Sequence, residues 1–536
     1  MDSVVSYRKR RGVEAFMLGF AIALAMAGYL LTHLDQSATL PPQWPWAFGI
    51  FSAVALGLHV VIRWRIPYAD PLILPLVMLL NGLGLAMIHR LDLGSNPVMH
   101  SAELQLTWLV VAAAACAGVI IGLRDYRLLQ RYPYLLFLLG MILLMLPLVP
   151  GLGKESHGAR IWIHLGSYSF QPAELAKLVL SIAFASYLVE KREVLALAGA
   201  RFLGVELPRP RDLGPILLMW LASLAVLVFQ KDLGTSLLFF GLFVVMLYVA
   251  TEKPAWALLG TGLFLAGAVG AYFAFDHVQA RVSAWLNPFA DPVNNYQIIQ
   301  AQYGIAWGGL FGTGWGLGRP NMTPLPKSDF IAAALGEEIG ITGLMAVMLI
   351  YGIIVARGLR AGLAAKDPFG KLLATGLSFV FAIQVFAIIG GVTRLLPLTG
   401  LTSPFMSQGG SSLVANWVMI GLLLVITHQV RRPAAAVAAM PMASLEADTT
   451  ELIDVSSLQT PAPVSGVMAT PAGADDVTGP IPVVEPTLTG NDLAGNDLAG
   501  NDLAEDDTAE VPRTPGPGTT STGTTGTGTT STGEES

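Results

Sequence analysis

The chain has 536 residues, 53% of them hydrophobic and 13% charged, with a mean hydropathy of +0.60. Soluble domains carry nearer 25% charged residues, so this composition excludes an ordinary soluble protein and indicates an all-α polytopic membrane protein. The net charge of −6 arises in the last hundred residues, where Arg513 is the only base, so the remainder is net basic.

The chain opens on the basic run SYRKRR, followed by an apolar stretch long enough to span, which reads as a signal anchor and not a cleaved leader. Apolar segments of roughly 17–25 residues are candidates for spanning helices. About twelve occur, near 14–34, 45–63, 71–88, 105–123, 133–150, 172–190, 214–230, 233–250, 256–275, 330–356, 371–391 and 411–430. The hinge-like RWRIPYADP after the second divides the chain into an N-terminal pair (1–69) and a membrane core (70–432). Cys116, the only cysteine, lies in an apolar run, excludes an intrachain disulfide and reads as a small buried thiol.

Lysine and arginine collect on alternate connections. One side holds Arg63, Arg65, Arg124, Arg127, Arg131, Lys191, Arg192, Arg201, Arg209, Arg211, Lys253, Arg357, Arg360, Lys366, Lys371, Arg431 and Arg432. The other holds far fewer: Arg90, Lys154, Arg160, Lys231, Arg281, Arg319, Lys327 and Arg394. The positive-inside rule then puts both termini in the cytoplasm and the polar stretch 276–329 outside.

In the outer connection 151–171, GARIWIHLGSYSFQPAELAKL runs into a helix that Pro172 is suited to start. Glu174 and Lys177, three apart, share one face of it. A lysine inside an apolar run is expensive and marks a functional position by default, the plainer alternative being an ion pair with Glu174 or with Asp232 of FQKDLGTS. Asp232 reads equally as a solvated turn residue or a helix cap.

The 276–329 stretch is too rich in Trp, Phe and Tyr to be disordered, and it holds six glycines between Gly308 and Gly318. It reads as an active-site loop on the membrane surface. GGLFGTGWGLG resembles a dinucleotide fingerprint but lacks the flanking strand and helix, so no nucleotide is expected. The glycines serve close backbone approach or movement of the loop. Asp329 stands where LPKSDF enters the next helix. It competes with Ser328 for the N-cap, yet an Asp beneath an aromatic loop and near Arg281 and Lys327 suits acid–base chemistry. Glu337 and Glu338 follow about two turns later. The last outer connection, RLLPLTGLTSPFMSQGGSS, holds Arg394 and reads as irregular backbone lining a cavity. From 433 the chain becomes acidic and Thr/Gly-rich, with GNDLA three times over 490–504, and reads as a disordered cytoplasmic tail.

FQPAELAKL, QKDLGTS, WLNPFADP…YQ…GGLFGTGWGLG, SDFIAAALGEEIG and PLTGLTSPFMSQGGSSL occur in one order across roughly 70–432. Together they resemble the RodA/FtsW/SpoVE (SEDS) family of bacterial cell-wall glycosyltransferases, with GGSSLVANW closer to the RodA type. The resemblance implies a ten-helix core preceded here by two extra helices. It also implies polymerisation of lipid II at the outer face of the cytoplasmic membrane, with a class B penicillin-binding transpeptidase as partner in elongation or division. The family's essential Asp, usually within HTDFIF, falls on Asp329, its His-Thr neighbours being Lys327 and Ser328 here. Its buried Lys falls on Lys177, the companion Glu on Glu174, and the Asp of its QPDLGT block on Asp232.

Such chemistry needs a general base at the attacking sugar hydroxyl and positive charge at the departing pyrophosphate. Asp329 is the expected base, with Arg281 and Lys177 as phosphate-side cations; a divalent ion, Mg or Mn, could replace either cation. Arg160, Trp162 and Gln297 are expected to line the groove. Two rival classes fit the same residues: a lipid II flippase, for which buried Lys177 and broken helices suit equally, and a non-catalytic scaffold of the cell-wall machinery that recruits through the tail.

Overall fold

The computed structural model describes residues 9–37, 40, 43–95, 99–156, 159–165, 168–196, 201–202, 205–206 and 210–433. The first eight residues and the expected tail beyond 433 lie outside the described residues. The helices are α1 (Arg11–Ser37), α2 (Trp44–Arg65), α3 (Ile73–Leu93), α4 (Ser101–Gly122), α5 (Pro133–Met145), α6 (Pro172–Ala196) and α7 (Pro210–Phe229). They continue as α8 (Leu233–Thr251), α9 (Pro254–Ala274), α10 (Asp276–Leu286), α11 (Tyr296–Gly308), α12 (Ile331–Ala364), α13 (Pro368–Val392) and α14 (Gly410–Arg431).

Each of the twelve apolar segments coincides with a helix. Among the described residues ten are long and apolar enough to cross a membrane, making this a multi-pass membrane protein; α5 and the apolar part of α7, Trp220–Phe229, are shorter. Proline opens α5, α6, α9 and α13, where its missing N–H costs nothing and its fixed φ favours the first turn. Asp367 completes the start of α13 by accepting from the Gly370 amide at 2.7 Å.

The polar stretch 276–329 differs from the expected loop, because it contains α10 and α11. Both are short and lie between Pro, Gly and Asn positions, so neither leaves an apolar run long enough to stand out. The connection 151–171 likewise forms a three-stranded antiparallel sheet, β1 (Gly153–Ser156), β2 (Ala159–Leu165) and β3 (Tyr168–Phe170). The aromatic rim of the polar stretch is strongly exposed: Trp307 at 77%, Phe311 at 80% and Phe289 at 55%.

The N-terminal pair is docked on the core. A methyl group on Gly82 of α3 would sit 2.2 Å from the Ala25 side chain of α1, so this glycine is what lets the two backbones approach. The connection after α2 is tied down, with the Tyr68 amide donating to His428 Nδ1 at 3.1 Å and Asp70 paired with Arg431. Cys116 is buried, as expected of a packing thiol.

α12 is broken at Gly340, whose φ of +69° lies outside the helical region. The break leaves the Glu337 and Glu338 carbonyls without their usual donors. They accept instead from the Thr313 and Gly314 amides at 3.0 and 3.1 Å. The amides of Ile341 and Thr342 donate to the Gly309 and Leu310 carbonyls at 3.0 and 3.1 Å. The glycine-rich run therefore replaces, bond for bond, what the kink removes. A Cβ on Gly340 would lie 2.3 Å from the Gly312 amide nitrogen. Gly340→Ala should lose about 1–2 kcal/mol from the left-handed backbone alone, with a clash in addition. A thermal-unfolding midpoint in detergent equal to that of the unmodified protein would contradict this.

Candidate active site

The site lies where α6, α8, α10, α12 and α13 meet the connection between α13 and α14. Phe330, the neighbour of Asp329, is fully buried in a small core with Ile298, Ile299, Ala333 and Val392, which fixes the backbone beneath the half-buried Asp329. The N-cap position of α12 falls on Phe330, one residue after Asp329. Ser328 points its hydroxyl back to the Leu325 carbonyl, at 3.5 Å.

Arg281, on α10, places Nη1 3.0 Å from both the Leu398 and Thr399 carbonyls. Its Nη2 faces Gly400. A methyl group there would sit 3.8 Å from Arg281 Nη2 and 3.9 Å from Asp329 Oδ2, so guanidinium and carboxylate both reach this glycine. Burial pushes the Arg281 pKa down, opposed by the carboxylates of Asp232 and then Asp329. Gln297 lines a cavity of about 220 Å³ together with Arg281, Trp285, Asn295 and Arg394. Arg394 holds α10 in place by donating to the Trp285 carbonyl at 2.9 Å, while the Trp285 indole donates back to the Arg394 carbonyl at 3.0 Å.

Asp232 is buried and caps α8, accepting from the Thr235 amide at 2.9 Å and its hydroxyl at 2.7 Å. The solvated-turn reading is thereby excluded. Lys231 before it has φ +59°, the left-handed turn that ends α7 and lets α8 begin. Lys177 is 2% exposed and donates to Glu174 Oε2 at 2.6 Å and Gln384 Oε1 at 2.8 Å. Of the two pairings open for it, the structure selects Glu174. Gln384 in turn donates to the Thr402 carbonyl at 3.0 Å, so the buried pair braces the backbone that carries Gly400.

Asp329, Arg281, Asp232, Glu174 and Lys177 are thus brought into one region, with Gln297 at its edge. Arg160 and Trp162 stand on β2, which packs against α6; Arg160 is exposed, and Trp162 pairs with Lys154 across the sheet. Lys327 is directed away from Asp329 and pairs with Asp92, because its longer side chain reaches the end of α3. Sequence reasoning missed Gln384 and the pairing of Arg90 with Glu338. Arg90 Nε donates to Glu338 Oε1 at 3.0 Å and Nη2 to the Gly318 carbonyl at 2.8 Å, stapling the glycine-rich run to α3. An arginine within an apolar helix is the one signal that could have exposed it.

A carboxylate and a guanidinium that reach the same glycine, with a buried ion pair in the same region, can accept a proton from a hydroxyl while holding an anionic group beside it. Comparison with known proteins narrows this chemistry. Residues 71–432 match the FtsW/RodA/SpoVE family, described as cell cycle protein. The chain is 48% identical over 434 residues to a protein named peptidoglycan glycosyltransferase RodA from Mycobacterium tuberculosis, covering 79% of this chain and 92% of that one. It is 35% identical over 326 residues to a probable peptidoglycan glycosyltransferase FtsW from Geobacter metallireducens, covering 60% and 84%. A solved structure described as showing structural coordination of polymerization and crosslinking by a peptidoglycan synthase complex superposes with a TM-score of 0.55 at 27% identity, covering 68% of this chain and 99% of that one.

Proposed function

The chain belongs to the FtsW/RodA/SpoVE family, and from that premise we propose that it is a peptidoglycan glycosyltransferase that polymerises lipid II into glycan strands. The observation that carries the mechanism is the approach of Asp329 Oδ2 and Arg281 Nη2 to the same residue, Gly400, each within 4 Å of where a side chain there would begin. Asp329 is the general base for the attacking sugar hydroxyl, a contribution of typically about 10²–10⁴-fold. Arg281 meets the charge that develops on the departing lipid pyrophosphate. Lys177, paired with Glu174, fixes Gln384 and through it the Thr402 backbone beside Gly400. Asp232 balances Arg281 from α8, and Gln297, Arg160 and Trp162 line the approach.

Mg or Mn enters this proposal only as an ion that the pyrophosphate itself would carry. Among the described residues no group of three or more His, Cys, Asp or Glu side chains could hold a metal, and Asp232 and Asp329 already act on Arg281. No step is therefore derived through a resident metal.

The reaction side is the outer face of the bacterial cytoplasmic membrane, with both termini inside, on the lysine and arginine asymmetry of the connections. The partner is a class B penicillin-binding transpeptidase, supported by the likeness to a synthase complex that couples polymerization to crosslinking. The higher identity to a RodA than to an FtsW favours the elongation branch.

Purified full-length protein given fluorescent lipid II should build glycan ladders, whereas a flippase would only redistribute the lipid in vesicles. Because Cys116 is buried, Met322→Cys, at a position 58% exposed, supplies a single reactive thiol seven residues before Asp329. A membrane-impermeant maleimide should label it in intact spheroplasts. Labelling only after lysis would place the site on the wrong face for this substrate.

A further inference from the structure

α4 carries a single amide side chain, Gln105, which is buried and belongs to none of the family's motif segments. It spans a turn of the connection between α13 and α14. Nε2 donates to the Ser407 carbonyl at 3.1 Å, and Oε1 accepts from the Gly409 amide at 3.3 Å. An amide offers a donor and an acceptor on one rigid group, whereas an apolar side chain offers neither and an ionised carboxylate only accepts. Trp108, three residues on, shares that face of the helix. A methyl group on Gly410 would sit 2.3 Å from the Trp108 ring, so α4 lies directly against the 407–410 backbone.

The turn that Gln105 spans holds the two residues before Asp329. The Ser407 hydroxyl donates to the Ser328 carbonyl at 2.5 Å and accepts from the Ser403 amide at 2.9 Å. The Gln408 amide donates to the Lys327 carbonyl at 2.8 Å. Two consecutive carbonyls leading into Asp329 are therefore anchored on two consecutive residues of the turn. The start of α4 braces the same segment through Asp92, which pairs with Lys327 and accepts from the Ala102 amide at 2.8 Å. On its other flank Asp329 is followed by the buried Phe330.

We propose that Gln105 is a positioning residue for Asp329: it fixes the 407–409 turn, and the turn fixes the backbone from which the carboxylate is presented beside Gly400. The role rests on the reading of Asp329 as the general base. A reacting group displaced by about 1 Å can lose about 10²-fold in rate. A loosened turn is therefore felt in the chemical step, while the groups that hold the substrate stay where they are.

The test compares the unmodified full-length protein with Gln105→Met, Gln105→Glu and Ser407→Ala. The first removes both bonds to the turn, the second keeps the shape and removes the donor, and the third cuts the next link toward Ser328. Per folded molecule, kcat for polymerisation of fluorescent lipid II should fall at least tenfold in each while KM stays within twofold. Thr107→Val, exposed on the same helix, should leave both unchanged. Amide hydrogen exchange in peptides covering 403–412 and 325–332 should quicken at least tenfold in each of the three, a readout that needs no reaction. Variants are read only if they elute as a single species in size exclusion, and Ser407→Ala, which loses one oxygen atom, decides should both Gln105 variants fail to fold. An intact kcat, whether or not KM or the thermal midpoint moves, would overturn the proposal, and so would unchanged exchange. Should the unmodified protein build no glycan ladders, the polymerase reading fails, and the exchange comparison alone decides whether Gln105 holds the Asp329 segment.

Discussion

Replacing Asp329 with alanine is expected to lower lipid II polymerisation by about 10²–10⁴-fold while the protein still inserts and elutes as a single species. The expectation rests on where Asp329 stands. The N-cap position of α12 falls on the next residue, Phe330, whose buried ring holds the Asp329 backbone. The Asp329 carboxylate lies beside Gly400, as does the Arg281 guanidinium. Asp329→Asn, which keeps the shape and removes the base, should fail equally. Glycan ladders of unmodified length and rate from either variant would take Asp329 out of the chemistry.

The second large effect is expected at Lys177. Its ammonium is buried against Glu174, and Lys177→Met would leave that carboxylate without its ion pair. Breaking a buried pair in this way typically costs about 3–5 kcal/mol, which should appear as a clear fall in the thermal-unfolding midpoint in detergent. The double variant Lys177→Met with Glu174→Gln removes both charges and should recover most of that loss. Polymerisation should stay impaired in the double variant, because Gln384 loses the ammonium that fixes it while it holds the Thr402 carbonyl. Recovery of both stability and polymerisation would reduce the pair to packing.

The spanning helices were legible in the sequence because a membrane imposes length and apolarity on each one separately. The Glu174–Lys177 pair was legible for a similar reason, since three residues of helix put both on one face whatever surrounds them. What escaped was set by distance along the chain. Arg90 meets Glu338 across 248 residues and Lys177 meets Gln384 across 207, and no local spacing encodes either meeting. The α10 and α11 helices escaped because they are short, 11 and 13 residues, and are separated by the Asn- and Pro-rich 287–295. Lys327 shows the limit from the other side: its position next to Ser328 and Asp329 suggested a shared role, yet its side chain reaches Asp92 on another helix. The break at Gly340 was invisible because its cause, the return of the Gly309–Gly314 backbone onto α12, is tertiary.

The exposed rim of Trp307, Phe311 and Phe289 bears on how the substrate is supplied. Indole and phenyl rings of this kind settle at the headgroup level of a bilayer, where one side is apolar and the other wet. On the proposed mechanism they would hold Asp329 at a fixed depth, in the layer to which a polyprenyl-tethered pyrophosphate is itself confined. Encounter is then two-dimensional: turnover follows the mole fraction of substrate within its own leaflet, and bulk volume has no part in it.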